Sequence, residues 1–239
     1  TGRHTEPALD EVYQFARFID VRKNGANGNG LNDDTAAIQA ALDAGGNGSV
    51  IQFEPGKKYI LTDSLTTYLW QRLEGATAAI GSGLVGPTEL KFNVTGSTVG
   101  IKFRSYTTLK DLHVRGPGDA IDTCTGIKPL DSTANAINIE DVSFDDWNTG
   151  AILDQIYYGK LIRPAFRRNA VALRITSSLN ISIYNIHING QRADNSMGIG
   201  IWGTARPFAI FGGSIEQCFA GVRPFHGEVT SLYNVYFET

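Results

Sequence analysis

Leu109-Lys110-Asp111-Leu112-His113-Val114-Arg115 has a pattern of apolar, any, bend, apolar, any, apolar, any, and the chain repeats it five more times. The copies are Ile139-Glu140-Asp141-Val142-Ser143-Phe144-Asp145, Leu161 to Arg167, Ile183-Tyr184-Asn185-Ile186-His187-Ile188-Asn189, Ile210 to Glu216, and Leu232-Tyr233-Asn234-Val235-Tyr236-Phe237-Glu238. Their first residues, 109, 139, 161, 183, 210 and 232, are separated by 30, 22, 22, 27 and 22 positions. A short unit at a near-constant period is the signature of a solenoid, in which each coil buries its apolar side chains only by stacking on its neighbours. The third position reads Asp111, Asp141, Arg163, Asn185, Gly212 and Asn234, mostly types that tolerate a left-handed backbone, so a sharp bend is expected there.

About ten residues before each copy stands a second short strand, as in Gly100-Ile101-Lys102-Phe103, Gly126-Ile127-Lys128, Gly150 to Leu153, Val171-Ala172-Leu173, Gly198 to Ile201 and Gly221-Val222-Arg223. Equivalent strands a full turn apart run in the same direction and must pair in parallel. The columns Leu112/Val142/Ala165/Ile186/Gly213/Val235 and Val114/Phe144/Phe166/Ile188/Ile215/Phe237 are then expected to form one continuous core.

Upstream lies one helix. Asn32 or Asp33 can cap it, Asp34 sits in its first turn, Ala36 to Leu42 supplies an apolar face, and Gly45-Gly46 ends it. Strands follow at Val50 to Gln52 and at Tyr59 to Leu61, separated by Pro55-Gly56.

The whole composition fits this reading. The 239 residues are 42% hydrophobic and 19% charged, so the chain is an ordered globular protein and is long enough for one domain. The net charge is −3 and no Lys/Arg run exceeds two residues, which argues against nucleic acid as a partner. No apolar stretch approaches the ~18 residues of a membrane span, and no membrane insertion is expected. Cys124 and Cys218 lack the spacing of a zinc or redox motif and read as two unrelated thiols. No nucleotide loop, nucleophile elbow or metal-ligand helix is present, so neither a cofactor nor a metal is expected. Asp119 and Asp122, in the insertion that lengthens the first period, offer two carboxylates where calcium needs six or more oxygens, and read as a turn.

Asp20-Val21-Arg22-Lys23-Asn24-Gly25-Ala26, followed by Gly28, Gly30 and Asp33-Asp34-Thr35-x-Ala37-Ile38-Gln39-x-Ala41, resembles the opening of the pectate-lyase-like superfamily. That opening recurs in bacteriophage tailspike depolymerases. The resemblance implies an all-β, single-stranded right-handed parallel β-helix with an N-terminal capping α-helix. Residues 1–19 would form a lead-in segment and 20–239 the β-helix. Because Glu238-Thr239 falls within a repeat and solenoids close with a polar cap, the helix is expected to continue beyond it. The resemblance also implies a tailspike-type protein, a homotrimer on the virion tail, that binds and depolymerises a bacterial surface polysaccharide. It specifies fold more closely than reaction. Hydrolysis, β-elimination, a non-catalytic spike and a secreted monomer all remain compatible with it.

Read down the stack, the last repeat position is Arg115, Asp145, Arg167, Asn189, Glu216 and Glu238. The first three suggest an Arg-Asp-Arg ion-pair ladder. Glu216 above Glu238 places two carboxylates one ladder step apart, ~4.8 Å, near the ~5–5.5 Å of retaining glycosidases, and the two are the expected catalytic pair. His187 lies on the same outward face, with His113 in the matching column below it and Ser143 and Ala165 between. The insertion Gly190 to Ser196 adds Asp194 as a third carboxylate and Arg192 as a ligand for an acidic sugar. Trp202 and Tyr236, together with Trp147, Tyr157 and Tyr158, are candidate sugar-stacking platforms, since a flat ring offers an apolar face with a polar edge.

Overall fold

A computed structural model describes residues 17–76, 87–118, 123–131, 134–189, 197–202, 206–224 and 230–238. Among them the chain forms an all-β parallel solenoid of about seven turns with a single α-helix, Thr35–Gly45. Every strand pairing is parallel. A long sheet follows the repeated copies, through Thr107–Arg115, Ala134–Asp145, Leu179–Asn189 and Arg206–Glu216, and a second sheet of seven strands collects the short strands before them.

The register follows the repeat. Leu112 pairs with Val142, Val114 with Phe144, Phe144 with Phe166, Phe166 with Ile188, and Ile215 with both Ile188 and Phe237. Val114, Phe144, Phe166 and Ile188 are fully buried, and the Phe144 and Phe166 rings stack at 5.3 Å. One member of the expected columns is misplaced. Ala165 pairs with Ser143 and His187, so it occupies the fifth repeat position, and Pro164 stands at the fourth. Counting from Leu161 gives the same register, with Pro164 fourth and Ala165 fifth, in one column with His113, Ser143 and His187.

All six bend residues have positive φ, from 49° at Arg163 to 73° at Gly212. Arginine is unusual in this conformation. Its guanidinium reaches down the bend column and donates from Nε and from the terminal nitrogen to Asp141, each at 2.6 Å, so the bend of one coil braces the next. That pair holds the Asp141 carboxyl below the ordinary carboxylate range.

The recurring glycines at the start of the second-sheet strands have a steric cause. Gly100, Gly126, Gly150, Ala172, Gly198 and Gly221 form one column, and a Cβ on Gly126 would lie 2.3 Å from the carbonyl oxygen of Gly150. Large rings roof this column, with Trp147 over Gly100 and Gly126 and Phe166 over Gly150. Gly126→Val should therefore cost about 2 kcal/mol or more in a urea melt, because neither the backbone oxygen nor the ring can yield. A loss indistinguishable from zero would mean the coils can spread.

The opening segment is built from caps. Asp20 accepts from Arg22 N at 2.9 Å to start a short 3-10 turn, Val21–Asn24, which closes at Gly25 with φ of 95°. Asp33 accepts from Thr35 N at 2.9 Å and from the Thr62 hydroxyl at 2.6 Å, as a cap should. Asp34 is not inside the first turn. It precedes the helix, makes no capping bond, and is buried where it accepts from Asn27 N at 2.6 Å and Gly28 N at 3.1 Å. Ile38, Ala41 and Leu42 of the helix enter the core, and Gly46 ends it with φ of 63°. Cys124 and Cys218 are both buried and not disulfide-bonded, and burial pushes the Cys218 thiol up to about 11. Among the described residues no helix is long and apolar enough to cross a membrane.

Candidate glycan-binding and catalytic face

The bend column divides the outer surface of the long sheet into two faces. Before the bend runs a groove of about 550 Å³, lined by Trp70, Tyr106, Asn138, Tyr158, Lys160 and Tyr184 among others. Trp70 and Tyr106 stack face to face, centroids 3.7 Å apart, and close one end of it. Both have left-handed backbones, φ 62° and 65°, which bulky residues adopt only where their surroundings compel it. Asn138 also lines the groove, and its side-chain oxygen is buried without a hydrogen-bond partner. Tyr184 forms the other wall and begins a ring ladder: it stacks on Phe211 at 5.1 Å, and Phe211 stacks on Tyr233 at 5.0 Å. Each ring stays partly exposed.

After the bend, the same coils carry a compact polar patch. One column holds His187, Ser214 and Tyr236, and a column two residues further along holds Asn189, Glu216 and Glu238. His187 Nδ1 and Ser214 Oγ are hydrogen-bonded at 2.8 Å. Asn189 Nδ2 donates to Glu216 Oε2 at 3.1 Å, and the Tyr236 hydroxyl donates to Glu238 Oε2 at 3.3 Å. The neighbouring Glu238 charge raises the Tyr236 phenol above its ordinary value. Glu216 and Glu238 are direct register partners, as the repeat predicts. In-register neighbours on parallel strands lie ~4.8 Å apart along the sheet.

Two expected assignments need correction. Trp147 is fully buried and donates from Nε1 to the Val114 carbonyl at 3.0 Å, so it is a core residue and no sugar platform. The Arg-Asp-Arg ladder exists in register but not in charge. Arg115 reaches Asp146 at 2.8 Å, and Arg168 reaches the same carboxylate at 2.7 Å. Burial alone would push the Asp146 carboxyl up, but the bonds from Arg168 and Arg115 hold it below the ordinary carboxylate range. Asp146 and Arg168 have left-handed backbones just past the repeat, a second corner that redirects both side chains and that the six-step pattern does not cover. Asp145 instead lies 3.1 Å from His113 Nε2, with Glu89 on the other side of that ring at 3.7 Å.

Asp194 and Arg192 lie outside the described residues, as do Asp119, Asp122 and the side chain of Trp202. Of the other expected platforms, Tyr157, Tyr158 and Tyr236 are exposed, and Tyr158 lines the groove. Trp70, Tyr106, Phe211, Tyr233 and Ser214 were not legible as site residues. The ring ladder could have been found in the sequence, since Tyr184, Phe211 and Tyr233 all occupy the second repeat position.

No family model matches the chain. The LysM effector LysM19 of Penicillium expansum, described as non-secreted, is 34% identical over 109 residues, which is 36% of this chain and 9% of that protein. Among solved structures, ORF18 of Geobacillus virus E2 superposes on 99% of this chain with a TM-score of 0.53 at 13% identity. This chain spans 64% of the viral protein's length. That likeness is one of fold. The A-module of the Azotobacter vinelandii mannuronan C-5 epimerase AlgE6 covers 90% of this chain and is itself 75% covered, with a TM-score of 0.46 and 15% identity. Tailspike protein 2 of the Escherichia coli O157:H7 bacteriophage CAB120 covers 93% and is 41% covered, with a TM-score of 0.44 and 13% identity. These last two are too loose to carry an argument.

Proposed function

We propose that the chain is the β-solenoid of a tailspike-type protein that binds a bacterial surface polysaccharide and cleaves it by hydrolysis. The observation that carries this reading is the aromatic-walled groove along the coils. Flat rings with polar edges at Trp70, Tyr106, Tyr158 and Tyr184 match the apolar faces and hydroxyl rims of successive sugars. The ladder Tyr184/Phe211/Tyr233 leads from the groove onto the coils that hold Glu216 and Glu238. In this reading Glu216 and Glu238 are nucleophile and acid, Asp194 is a third carboxylate, and His187, Arg192, Trp202 and Tyr236 contact substrate. The coil is right-handed, the hand that parallel crossovers adopt almost without exception, and the helix Thr35–Gly45 caps its first turn. Three such chains would assemble as a homotrimer at the virion tail, a state that sedimentation equilibrium measures directly.

Incubation with capsule or lipopolysaccharide from a panel of hosts should release new reducing ends. Products absorbing in the ultraviolet would replace hydrolysis by β-elimination, and binding without products would make the protein a non-catalytic spike. Tyr158→Ala should weaken glycan binding by about tenfold while leaving the melting temperature unchanged, because the ring is exposed and its loss uncovers no core. Undiminished affinity would remove the groove from the binding site.

A further inference from the structure

One column on the outer face of the long sheet runs Trp70, Tyr106, Ala136 and Tyr158, one residue per coil. The Tyr106 N–H donates to the Ala136 carbonyl at 2.7 Å, and Ala136 is the register partner of Tyr158. Rings in neighbouring coils of this face stack on one another. Trp70 lies on Tyr106 at 3.7 Å, and in a parallel column Tyr184 lies on Phe211 at 5.1 Å and Phe211 on Tyr233 at 5.0 Å. The surface thus accommodates one ring per coil, with the ring faces turned along the solenoid axis.

At Ala136 the column lacks its ring. Trp70 covers one face of Tyr106, and the other face looks toward the Ala136 coil. Tyr158 is the next ring of the column and is exposed. Two ladder steps separate Tyr106 from Tyr158, ~9.6 Å, so a ring placed midway lies ~4.8 Å from each, within the ~4.5–7 Å at which rings are in contact. Ile137 and Ile139 of the same coil point into the core, which leaves the half-buried Ala136 methyl as the floor of the gap. Thr108, Asn138 and Lys160, in the next outward column, flank the gap where it opens into the groove.

We infer that the gap at Ala136 is a slot for one side-branch sugar of a branched polysaccharide, which enters edge-on with one ring face on Tyr106 and the other on Tyr158. This rests on the polysaccharide reading and deepens it by naming the substrate class. A main chain running along the coils, in the direction of the Tyr184/Phe211/Tyr233 ladder, cannot thread the slot, because Tyr106 and Tyr158 close it at both ends of that axis. A sugar that leaves the main chain sideways does enter it. Both faces of a pyranose are rich in C–H groups and suit the two rings, and its hydroxyl rim meets the polar flank.

Filling the gap is the test. Ala136→Phe supplies the missing ring, and its melting temperature should hold or rise, because ring pairs across neighbouring strands stabilise a sheet and no core is opened. Ala136→Ser leaves the slot open and serves as the control. The probes are the methyl glycosides of glucose, galactose, mannose, rhamnose and N-acetylglucosamine, with phenol beside them, titrated by saturation-transfer NMR. At least one glycoside should bind with a Kd of about 1 mM, Ala136→Phe should weaken it by about tenfold or more, and Ala136→Ser should retain it. Removing that sugar's branches from a bound capsule or lipopolysaccharide with the matching exoglycosidase should cost the parent protein about tenfold in affinity and Ala136→Phe nothing. Glycoside affinity unchanged in Ala136→Phe, no glycoside binding by a protein that does bind capsule or lipopolysaccharide, phenol binding in place of every glycoside, or branch removal without effect would each overturn the slot. Weakened capsule or lipopolysaccharide binding in Tyr158→Ala beside undiminished binding in Ala136→Phe would leave the groove reading standing alone. Absence of all glycan binding would overturn both.

Discussion

Glu216→Gln should lower polysaccharide cleavage by a factor of about 100 or more, equivalent to ~2.7 kcal/mol of transition-state stabilisation, while glycan binding and melting temperature stay nearly unchanged. The amide keeps the volume of the carboxylate and an oxygen that can still accept from Asn189 Nδ2, so the local hydrogen bond survives. What it loses is the charge needed for attack or proton transfer. Its register partner, Glu238, is held by the Tyr236 hydroxyl, so the two carboxylates have different surroundings: one faces an amide donor and the other a phenol. Unequal surroundings are what allow two like groups to take opposite roles. Reducing-end assays on purified polysaccharide decide the matter, and turnover equal to the parent protein would place the reaction outside this pair.

Phe144→Ala should destabilise the solenoid by about 3–5 kcal/mol in denaturant melts. The ring is fully buried, stacks on Phe166 at 5.3 Å, and is bracketed in register by Val114 and Phe166. A globular core can close partly around a deleted ring. Here the coil spacing is set by parallel ladders on both sides of the core, so the layers cannot collapse into the cavity. A loss below ~1 kcal/mol would show that the ring fills no such layer.

The repeat by itself determined the architecture, because a period-two alternation broken at a fixed step states which side chains are buried and where the backbone turns. Asp111, Asp141, Arg163, Asn185, Gly212 and Asn234 were legible as one bend column, and all six have positive φ. The same rule placed Glu216 beside Glu238 and Val114 below Phe144, since a solenoid converts spacing along the chain directly into neighbourhood in space. The count from Leu161 also places Pro164 fourth and Ala165 fifth, and the ladder from Ser143 through Ala165 to His187 agrees. Pattern could not pair Arg115 with Asp146 in place of Asp145, because a second left-handed corner beyond the repeat turns the acid sideways. The groove was decided largely by tertiary structure. Tyr106 and Tyr158 each stand three residues before a repeated copy and so share one column just outside the seven-residue pattern, whereas Trp70 precedes all the copies and joins that column only through the register of Arg72 with Thr108. Their rings meet because successive coils bring residues separated by 36 and 52 positions onto one wall, and whether a ring then faces solvent, as Tyr158 does, or the core, as Trp147 does, depends on which side of a corner it stands.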